Sequence, residues 1–449
     1  MLYFSLLRKV GFPKMAFSLK GIKLPHRKNT AGTAVERMDI DNTITIPTVM
    51  HIGKPAIPVV KAGDHVHLGA LIAKADEGLS SPVYASVSGN VVGVSDIFNS
   101  AGNKVPAILI DSDGEYAVDE SVVPPVIDSK DALINAMRDS GVVGLGGAGF
   151  PTYAKFATDK KIDVLIINGA ECEPYITSDT YTMLEKADDI AFAIETITKF
   201  IDVEKVIVAV EKNKPEAIKK MEEMATGMSK VSVKVLKPKY PTGGEKVLVY
   251  SVTGRAIGDG KLPADVGCLV CNCTTMAALG NYFKTGMPLV EKCITVDGSA
   301  VNNPKNVIVP IGIHVGDVFK FCGGFSTEPG KILYGGPMMG ISIPSLDEPV
   351  LKQTNALLAL SEKDAKAPKE TPCIQCGACT NNCPMGLSVT EIARAYKKGE
   401  YDRLEKLGVG MCMECGCCAY NCPAKRPLVH VNKLAKAALR EWKEKEAKA

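Results

Sequence analysis

No cysteine precedes Cys172 in this 449-residue chain. Six of the 15 cysteines are scattered between Cys172 and Cys322, and nine crowd between Cys373 and Cys422. The N-terminus lacks a signal-peptide pattern, because its basic residues follow the apolar run instead of preceding it. An odd number of clustered cysteines without a secretory signal excludes a disulfide framework. It predicts metal ligation in a reducing compartment.

Excess charge of one sign and long apolar runs are also absent. Lys and Arg number 53 against 50 Asp and Glu, a net charge of +3, which predicts no nucleic-acid partner. No stretch approaches the roughly 18 uninterrupted apolar residues of a membrane span. With 46% hydrophobic and 23% charged residues, the chain is predicted to be a soluble protein of about three domains. A short N-terminal surface anchor and a start at either Met1 or Met15 remain open.

Residues 40–112 show short alternating strands with turn residues between them, arranged as two similar halves. This pattern resembles the barrel-sandwich hybrid of biotinyl and lipoyl carrier domains. A carrier needs an exposed lysine at the hairpin between the halves, where this chain has Gly78-Leu79-Ser80. The nearest lysine, Lys74, lies earlier in strand-like sequence. The module is therefore predicted to be a scaffold, with a swinging-arm carrier as the alternative.

From about 128 to 275 helical and strand patterns alternate, which predicts α/β architecture. The predicted helices cover 128–139, 183–200 and 215–224, and the predicted strands cover 163–168, 205–210 and 230–236. Residues 290–325 are predicted to be rich in strands, and a Lys-, Ala- and Pro-rich linker follows at 362–372.

The C-terminal cysteines form the run C-x2-C-x2-C-x3-C-P twice, the pattern of two-cluster ferredoxins. In such domains the fourth cysteine of one motif ligates the other cluster. One [4Fe–4S] cluster is assigned to Cys373, Cys376, Cys379 and Cys422, and the other to Cys412, Cys415, Cys418 and Cys383. Paired zinc knuckles are the alternative. The remaining Cys417 is predicted to be a packing thiol. With predicted helices at 387–398 and 428–442, the domain resembles the helical two-cluster domains of respiratory reductases.

The segment from Gly144 to Gly149 satisfies G-x-G-x-x-G, but a helix and not a strand precedes it, and no acidic residue lies near position 164. Its four glycines allow close approach of a ligand to the backbone, and Pro151 is placed to begin a helix. Lys155 would add a positive charge one turn inside that helix. The loop is therefore predicted to bind a phosphate or flavin, with a tight helix–helix turn as the alternative.

The run from Gly144 to Lys155 closely resembles the flavin loop of the 51-kDa NADH-binding subunits of respiratory complex I. Further similar stretches are 168–174, 240–245 and 272–275. The whole chain resembles the C subunits of Rnf electron-transport complexes, from its opening segment through Gly-Gly-Pro-Met-Met-Gly at 335–340 to the tandem cysteine motifs.

This resemblance implies a multidomain protein that combines α/β and all-β modules. The implied parts are an N-terminal extension (1–39), a barrel-sandwich hybrid (40–112), a 51-kDa-like FMN/NADH-binding domain (125–282), a β-grasp segment like soluble-ligand-binding domains (285–345) and a helical two-cluster ferredoxin domain (365–449). The implied cofactors are FMN, NAD(H) and two [4Fe–4S] clusters.

The same resemblance implies roles for individual residues. The residues implied to hold FMN are Gly144, Gly146, Gly147, Lys155, Asn168, Glu171, Gly243, Asn272 and Thr275. Phe150 would stack against the adenine of NADH, and Glu173 and Glu245 would act catalytically near the dinucleotide. Two departures weaken the match: Ala170 stands where the complex I subunits have aspartate, and Phe156 is the only aromatic residue just after Lys155.

Three features have simpler interpretations. Cys268, Cys271 and Cys273 would suggest a third cluster or a redox pair, but no fourth ligand is near, so buried structural thiols are favoured. His65 and His67 lack a third metal ligand and are predicted to be surface residues. The Lys/Glu-rich tail from 441 onward is predicted to be a solvated helix end, with contact to lipid headgroups as the alternative.

The resemblance implies a peripheral redox subunit on the cytoplasmic face of the cell membrane. It would transfer electrons between clusters and NAD(H) through FMN, coupling ferredoxin oxidation to NAD+ reduction and ion pumping. Its implied partners are the other Rnf subunits, integral membrane subunits and an iron–sulfur electron donor among them. The alternatives are a flavin- and cluster-containing cobalamin reductase of propanediol utilisation, and a non-catalytic iron–sulfur or zinc scaffold.

Overall fold

The computed structural model describes residues 20–40, 42–100 and 102–447. Residues 1–19 of the predicted extension at 1–39, with both candidate start residues, therefore lie outside the described residues, as do the last two residues of the tail. The chain forms two compact units. Of the described residues, one unit comprises those of Lys23–Pro368, and the other comprises 369–447 together with 20–22. Among the described residues, no helix is long and apolar enough to span a membrane.

The first module of the larger unit contains two antiparallel sheets. A two-residue strand, β1 (Glu36–Arg37), precedes them. The strands that follow are β2 (Thr43–Pro47), β3 (Ile57–Pro58), β4 (His65–Val66), β5 (Leu71–Lys74), β6 (Val83–Tyr84), β7 (Gly89–Phe98) and β8 (Lys104–Ser112). One sheet has the order β2-β8-β7-β4 and the other β3-β5-β6. Two small sheets packed together are what the alternating pattern predicts, and the barrel-sandwich prediction is confirmed.

The second module is a parallel sheet flanked by helices. Its elements are α1 (Lys130–Asp139), α2 (Thr152–Phe156), β9 (Val164–Gly169), α3 (Ser178–Glu185), α4 (Ala187–Phe200), β10 (Lys205–Glu211), α5 (Pro215–Ala225), β11 (Val231–Leu236), α6 (Glu245–Thr253), β12 (Cys268–Asn272) and α7 (Cys273–Thr285). The strand order is β11-β10-β9-β12, and all strands are parallel. From β9 the chain adds β10 and β11 on one side and then β12 on the other, so the order of the strands switches between β9 and β12. In open α/β sheets, ligands bind at the carboxyl ends of the strands at such a switch point.

The third module is a six-stranded mixed sheet. It is built from β13 (Glu291–Asp297), β14 (Lys305–Pro310), α8 (Val315–Phe321), β15 (Pro329–Tyr334), β16 (Ile341–Ile343), β17 (Ala356–Ser361) and α9 (Glu362–Ala365). The strand order is β1-β14-β13-β17-β15-β16. The sheet thus takes strands from outside the segment 285–345, since β1 precedes it and β17 follows it.

One contiguous apolar core runs through all three modules. It includes Ile44 and Ile108 of the first module, Leu165 of the second, and Ile294 and Leu357 of the third, all without exposed area. Because a shared core binds the modules together, residues 23–368 form one unit instead of three separate domains.

The smaller unit is helical and internally repeated. Its helices are α10 (Ala378–Asn381), α11 (Val389–Lys397), α12 (Tyr401–Lys406), α13 (Cys417–Tyr420) and α14 (Leu428–Glu446). The start of α13 follows the start of α10 by the same sequence offset that separates the starts of α14 and α11. Gln375 and Glu414 are separated by the same offset, and both have left-handed backbone conformations. The duplicated sequence motif is therefore also a duplicated backbone conformation.

Two details of secondary structure differ from the sequence prediction. The predicted helix over 183–200 is broken, because Lys186 leaves helical geometry between α3 and α4. The predicted strand-rich stretch at 290–325 contains the helix α8.

Candidate functional site

The glycine loop is closed on itself by two backbone hydrogen bonds. Gly144 N–H donates to the Phe150 carbonyl at 2.8 Å, and Gly149 N–H donates to the Gly144 carbonyl at 3.0 Å. The residues at its tip, 146–148, are exposed, and their amides have no hydrogen-bond partner within the described part of the chain. Gly147 has φ +108°, and a Cβ there would meet nothing within 4 Å. The tip therefore presents free amide donors to an open space, which suits an anionic or polar ligand.

The junction between β12 and α7 holds this loop in place. Asn272 caps α7 by accepting hydrogen bonds from the amides of Thr274 at 2.9 Å and Thr275 at 3.3 Å. The Thr275 hydroxyl in turn accepts the Leu145 amide at 3.0 Å. Gly146 packs so closely on Asn272 that a Cβ would lie 3.2 Å from its side-chain nitrogen. Three of the predicted FMN-binding positions are thus brought together.

The end of β9 contributes the next predicted residues. The Asn168 side-chain amide donates to the Gly243 carbonyl at 2.9 Å. A Cβ on Gly243 would lie 2.4 Å from the Ala170 carbonyl, so only glycine fits at this contact. The segment before α6 therefore packs directly onto the strand end at the switch point.

Lys155 and Glu245 face each other beside the same strand ends. Lys155 Nζ lies 3.4 Å from Glu245 Oε1 and donates to the Val270 carbonyl at 2.9 Å. Both side chains are partly exposed, as is Phe150. The structure thus places this cation, this carboxylate and this aromatic ring where a ligand can reach them.

Glu171, by contrast, is enclosed in protein. Its carboxylate accepts the Asp179 amide at 2.7 Å, the Thr180 hydroxyl at 2.8 Å and the Lys214 ammonium at 2.8 Å, with Lys28 Nζ at 4.0 Å. Burial by itself raises the pKa of this carboxyl, but the two lysines and the hydrogen bonds outweigh burial and lower it below its usual value. The structure places Glu171 in a buried ion pair that supports α3.

Glu173 faces a different part of the fold. Its carboxylate accepts the backbone amides of Met338 at 3.1 Å and Met339 at 3.0 Å, in the loop 335–340. Burial raises its pKa to about 7, although these amides oppose the shift. The two residues predicted to be catalytic, Glu173 and Glu245, are therefore bonded to different segments of the chain.

The smaller unit contains two cavities lined by cysteine. A cavity of about 190 Å³ is lined by Cys373, Cys376, Cys379 and Cys422, and a second, smaller cavity by Cys383, Cys412, Cys415, Cys417 and Cys418. In both cavities the thiols of one motif stand beside the fourth thiol of the other motif. Apart from Cys417, this grouping has the crossed arrangement that the spacing predicts.

Hydrogen bonds to sulfur support cluster ligation at both cavities. The Gln375 amide donates to Cys373 Sγ at 3.4 Å, and the Asn432 side chain donates to Cys412 Sγ at 3.6 Å. Within the described residues, no three His, Cys, Asp or Glu side chains are placed to hold a metal ion. One tetrahedral zinc needs all its ligands about 2.3 Å away, whereas each thiolate of a [4Fe–4S] cluster has its own iron. The thiols that line each cavity are the ligand type of a [4Fe–4S] cluster.

The other cysteines singled out in the sequence are buried, and His65 is exposed. Cys417 is fully buried at the wall of the second cavity, and its counterpart in the first motif is Ala378, so its role as a packing thiol stays a prediction. Cys268, Cys271 and Cys273 are also buried. Burial raises the pKa of Cys271 to about 11, so its thiol stays protonated. The exposed His65 pairs with Asp113 at 3.3 Å, the arrangement of a surface residue.

The larger unit and the cysteine-rich unit match four family profiles. Residues 17–115 match the RnfC barrel sandwich hybrid domain, 137–281 the Nuo51 FMN-binding domain, 293–342 the SLBB domain and 370–426 the 4Fe-4S dicluster domain. The first two cover the scaffold and the glycine loop, and the last covers both cysteine motifs.

Similar curated proteins span most of the chain. The C subunit of a proton-translocating ferredoxin:NAD(+) oxidoreductase complex from Clostridium ljungdahlii is 42% identical over 388 residues, covering 85% of this chain and 84% of the relative. The C subunit of a Na(+)-translocating complex from Acetobacterium woodii is 40% identical over 423 residues, covering 93% and 95%. The chain belongs to the RnfC family. The C subunit of an ion-translocating oxidoreductase complex from Rhodobacter capsulatus is 39% identical over 438 residues, covering 96% of this chain and 84% of the relative.

As a member of the RnfC family, this chain is an oxidoreductase subunit whose cofactors are FMN and [4Fe–4S] clusters. The sites described above fit both groups. The glycine loop offers free amides, open space and a nearby lysine for FMN, and each cysteine cavity offers at least four thiols for a cluster.

Sequence reasoning missed three polar residues of this RnfC-family chain, the half-buried Asp179 and the buried Lys292 and Lys352. Asp179 accepts hydrogen bonds from Asn272 at 2.8 Å and Thr274 at 2.7 Å, which ties α3 to the loop support. Lys292 and Lys352 lie beneath the glycine loop and beside the first module. The sequence does indicate that Lys292 is buried, because in a strand it shares one face with the apolar residues Ile294 and Val296.

The ion pair of Glu171 gives a stability prediction. Lys214→Met removes its nearest cation and leaves a buried carboxylate partly unpaired, which is expected to cost about 3 kcal/mol in the free energy of unfolding. The measurement is urea denaturation followed by far-UV circular dichroism. Because the pKa of Glu171 is lowered, the pair stabilises the wild type above about pH 4.5, and this contribution is lost as the pH falls through the folded-state value.

The control for this prediction is Lys219→Met on α5, the helix that begins directly after Lys214. Lys219 lies 3.8 Å from Glu223 in an exposed pair, so its replacement is expected to change stability by less than about 0.5 kcal/mol. Equal effects of the two substitutions would show that the Glu171 pair contributes no more than a surface pair.

Proposed function

We propose that this chain is the peripheral redox subunit that exchanges electrons with NAD(H) in a membrane-bound, ion-pumping ferredoxin:NAD+ oxidoreductase complex. The observation that carries the proposal is the presence, in one chain, of an FMN-binding domain and a dicluster domain. An FMN site alone would suit many dehydrogenases, and a dicluster domain alone would suit many electron carriers. Their combination suits a protein that joins two-electron and one-electron reactions.

FMN, when bound, accepts two electrons together as a hydride and passes electrons on one at a time. The residues of the chain serve this chemistry by binding and orienting. Gly146, Gly147 and the Thr275-supported Leu145 peptide shape the loop, and Lys155 contributes positive charge. Asn168 and Gly243 close the site at the end of β9. These assignments rest on the contacts at the switch point.

Two carboxylates and one ring are proposed to serve the dinucleotide. Phe150, partly exposed beside the loop, is proposed to stack against the adenine of NADH. Glu245 is proposed to lie near the dinucleotide beside Lys155. Glu173, with a pKa of about 7, can bind or release a proton at neutral pH, and we propose that it acts near the dinucleotide.

The relatives named as subunits of proton- or sodium-translocating complexes support a larger assembly. We propose that electrons run from ferredoxin, through an iron–sulfur donor subunit and the two clusters, to FMN and NAD+. The partners are proposed to include integral membrane subunits, with this chain at the cytoplasmic face of the cell membrane.

The test is a cofactor analysis of the full chain purified without oxygen. Two [4Fe–4S] clusters and one flavin predict about eight Fe, about eight acid-labile sulfides and about one FMN per chain. Addition of NADH is expected to bleach the visible absorption of the clusters. A colourless, zinc-loaded protein would contradict the proposal, and so would clusters that dithionite reduces but NADH does not.

A further inference from the structure

Two buried lysines connect the three modules of the larger unit beneath the glycine loop. Lys292 on β13 is 4% exposed, and its ammonium donates to the Leu145 carbonyl at 2.7 Å and the Lys352 carbonyl at 3.2 Å. Lys352, 1% exposed, donates to the carbonyls of Pro82 at 2.6 Å and Gly141 at 2.8 Å. Within the described residues, neither lysine has a carboxylate within salt-bridge distance. A buried charge without a counter-ion is costly, so its retention calls for a reason.

The Leu145 peptide supplies that reason. In a trans peptide, the carbonyl of one residue and the amide of the next point in opposite directions. Because the Leu145 carbonyl is directed inward to Lys292, the Gly146 amide is directed outward, towards the exposed tip of the loop. The Leu145 amide is fixed separately by Thr275. The cation therefore fixes and polarises the peptide whose free amide faces the ligand side.

We propose that Lys292 is a positioning residue for FMN, whose charge behind the glycine loop orients the Gly146 amide and favours the anionic ligand. The inference rests on the proposed FMN site. It also gives the third module a function in this chain, because β13 carries the lysine that supports the flavin loop.

The charge of Lys292 is sensitive to pH. Burial lowers its pKa to about 7, while Asp179 on α3 and Cys293 on β13 favour the charged form. The neighbouring Lys352, in the loop before β17, also has a pKa lowered by burial to about 7. The glycine loop itself has no titratable side chain. An anion bound in front of the loop favours protonated Lys292, so FMN affinity is expected to fall as pH rises above 7.

The experiment measures the dissociation constant of FMN for the flavin-depleted full chain by fluorescence quenching. Lys292→Met, of similar volume, is expected to weaken FMN binding about tenfold at pH 7, the factor for one lost charge-assisted hydrogen bond. Lys292→Arg keeps the charge and is expected to restore part of the affinity. Lys352→Met, a matched buried lysine that does not contact Leu145, is expected to leave the FMN affinity within twofold of wild type.

The second measurement compares FMN affinity at pH 7 and pH 9, where the FMN phosphate stays doubly ionised because its second pKa is about 6. Wild type and Lys352→Met are expected to lose about tenfold in affinity over this range, and Lys292→Met about none. A flat wild-type profile overturns the inference even if no variant folds. Equal weakening by both lysine variants, or unchanged affinity in Lys292→Met, also overturns it. A wild type that binds no FMN contradicts the proposed function instead.

Discussion

Gly147→Val is expected to abolish FMN binding while both iron–sulfur clusters remain. Gly147 has φ +108°, where a β-branched side chain is strained by about 1–3 kcal/mol, and the valine would occupy the open space in front of the loop. The cysteines lie in the other compact unit, so their clusters are expected to assemble normally. Anaerobic protein should then show cluster absorption without flavin. Dithionite should still bleach it, and NADH should not.

The matched control is Gly227→Val in the turn after α5. Gly227 also has a positive φ, +86°, and a Cβ there would also meet nothing within 4 Å. It therefore carries similar backbone strain away from the strand ends, and this variant is expected to keep FMN and NADH-driven bleaching. Normal NADH-driven cluster reduction in a folded Gly147→Val protein would remove the loop from the mechanism.

The crossed ligation predicts an asymmetric result for double cysteine variants. Cys373→Ala with Cys422→Ala removes two ligands of one cluster and is expected to leave about four Fe per chain. Cys412→Ala with Cys422→Ala removes one ligand from each cluster and is expected to leave almost none. The reason is the lining of the two cavities, in which Cys422 joins the first motif and Cys383 joins the second. Iron and sulfide analysis of anaerobic protein measures both outcomes.

Uncrossed ligation would reverse these two results, because Cys412 and Cys422 would then belong to the same cluster. The control is Cys417→Ala, which is expected to keep about eight Fe, since this buried thiol has an alanine as its counterpart in the first motif. Loss of iron from Cys417→Ala would show that the ligand set of the second cluster is wrong.

The two longest helices of the cysteine-rich unit and its repeated motif could be predicted from sequence, because this information is local, whereas the short helices α10, α12 and α13 were not predicted. The spacing within each motif determines how the chain turns around a cluster, and the constant offset between the two motifs places Gln375 and Glu414 in the same left-handed conformation. The strands of the parallel sheet were also predictable, since β9 and β10 are short runs of buried apolar residues. The kink at Lys186 was not, because the apolar spacing continues through it.

The supports of the flavin site were harder to predict because they depend on contacts distant in sequence. Glu171 and Glu173 are close neighbours in the chain, yet one joins Lys214 and the other joins the loop containing Met338. Resemblance alone assigned both to cofactors. Lys292 supports Leu145 from a distant part of the sequence, and no local pattern states which carbonyl a buried lysine will meet.

The lysine contacts and the common core also bear on how such a protein can be recombined. A flavin module taken from a relative would place a foreign loop over Lys292 and a foreign turn at Gly141 against Lys352. Its inner surface would have to match core residues contributed by the modules before and after it. Residues 23–368 are therefore expected to be inherited as one block, and chimaeras with crossovers near residue 368 should tolerate exchange better than chimaeras with crossovers between the modules.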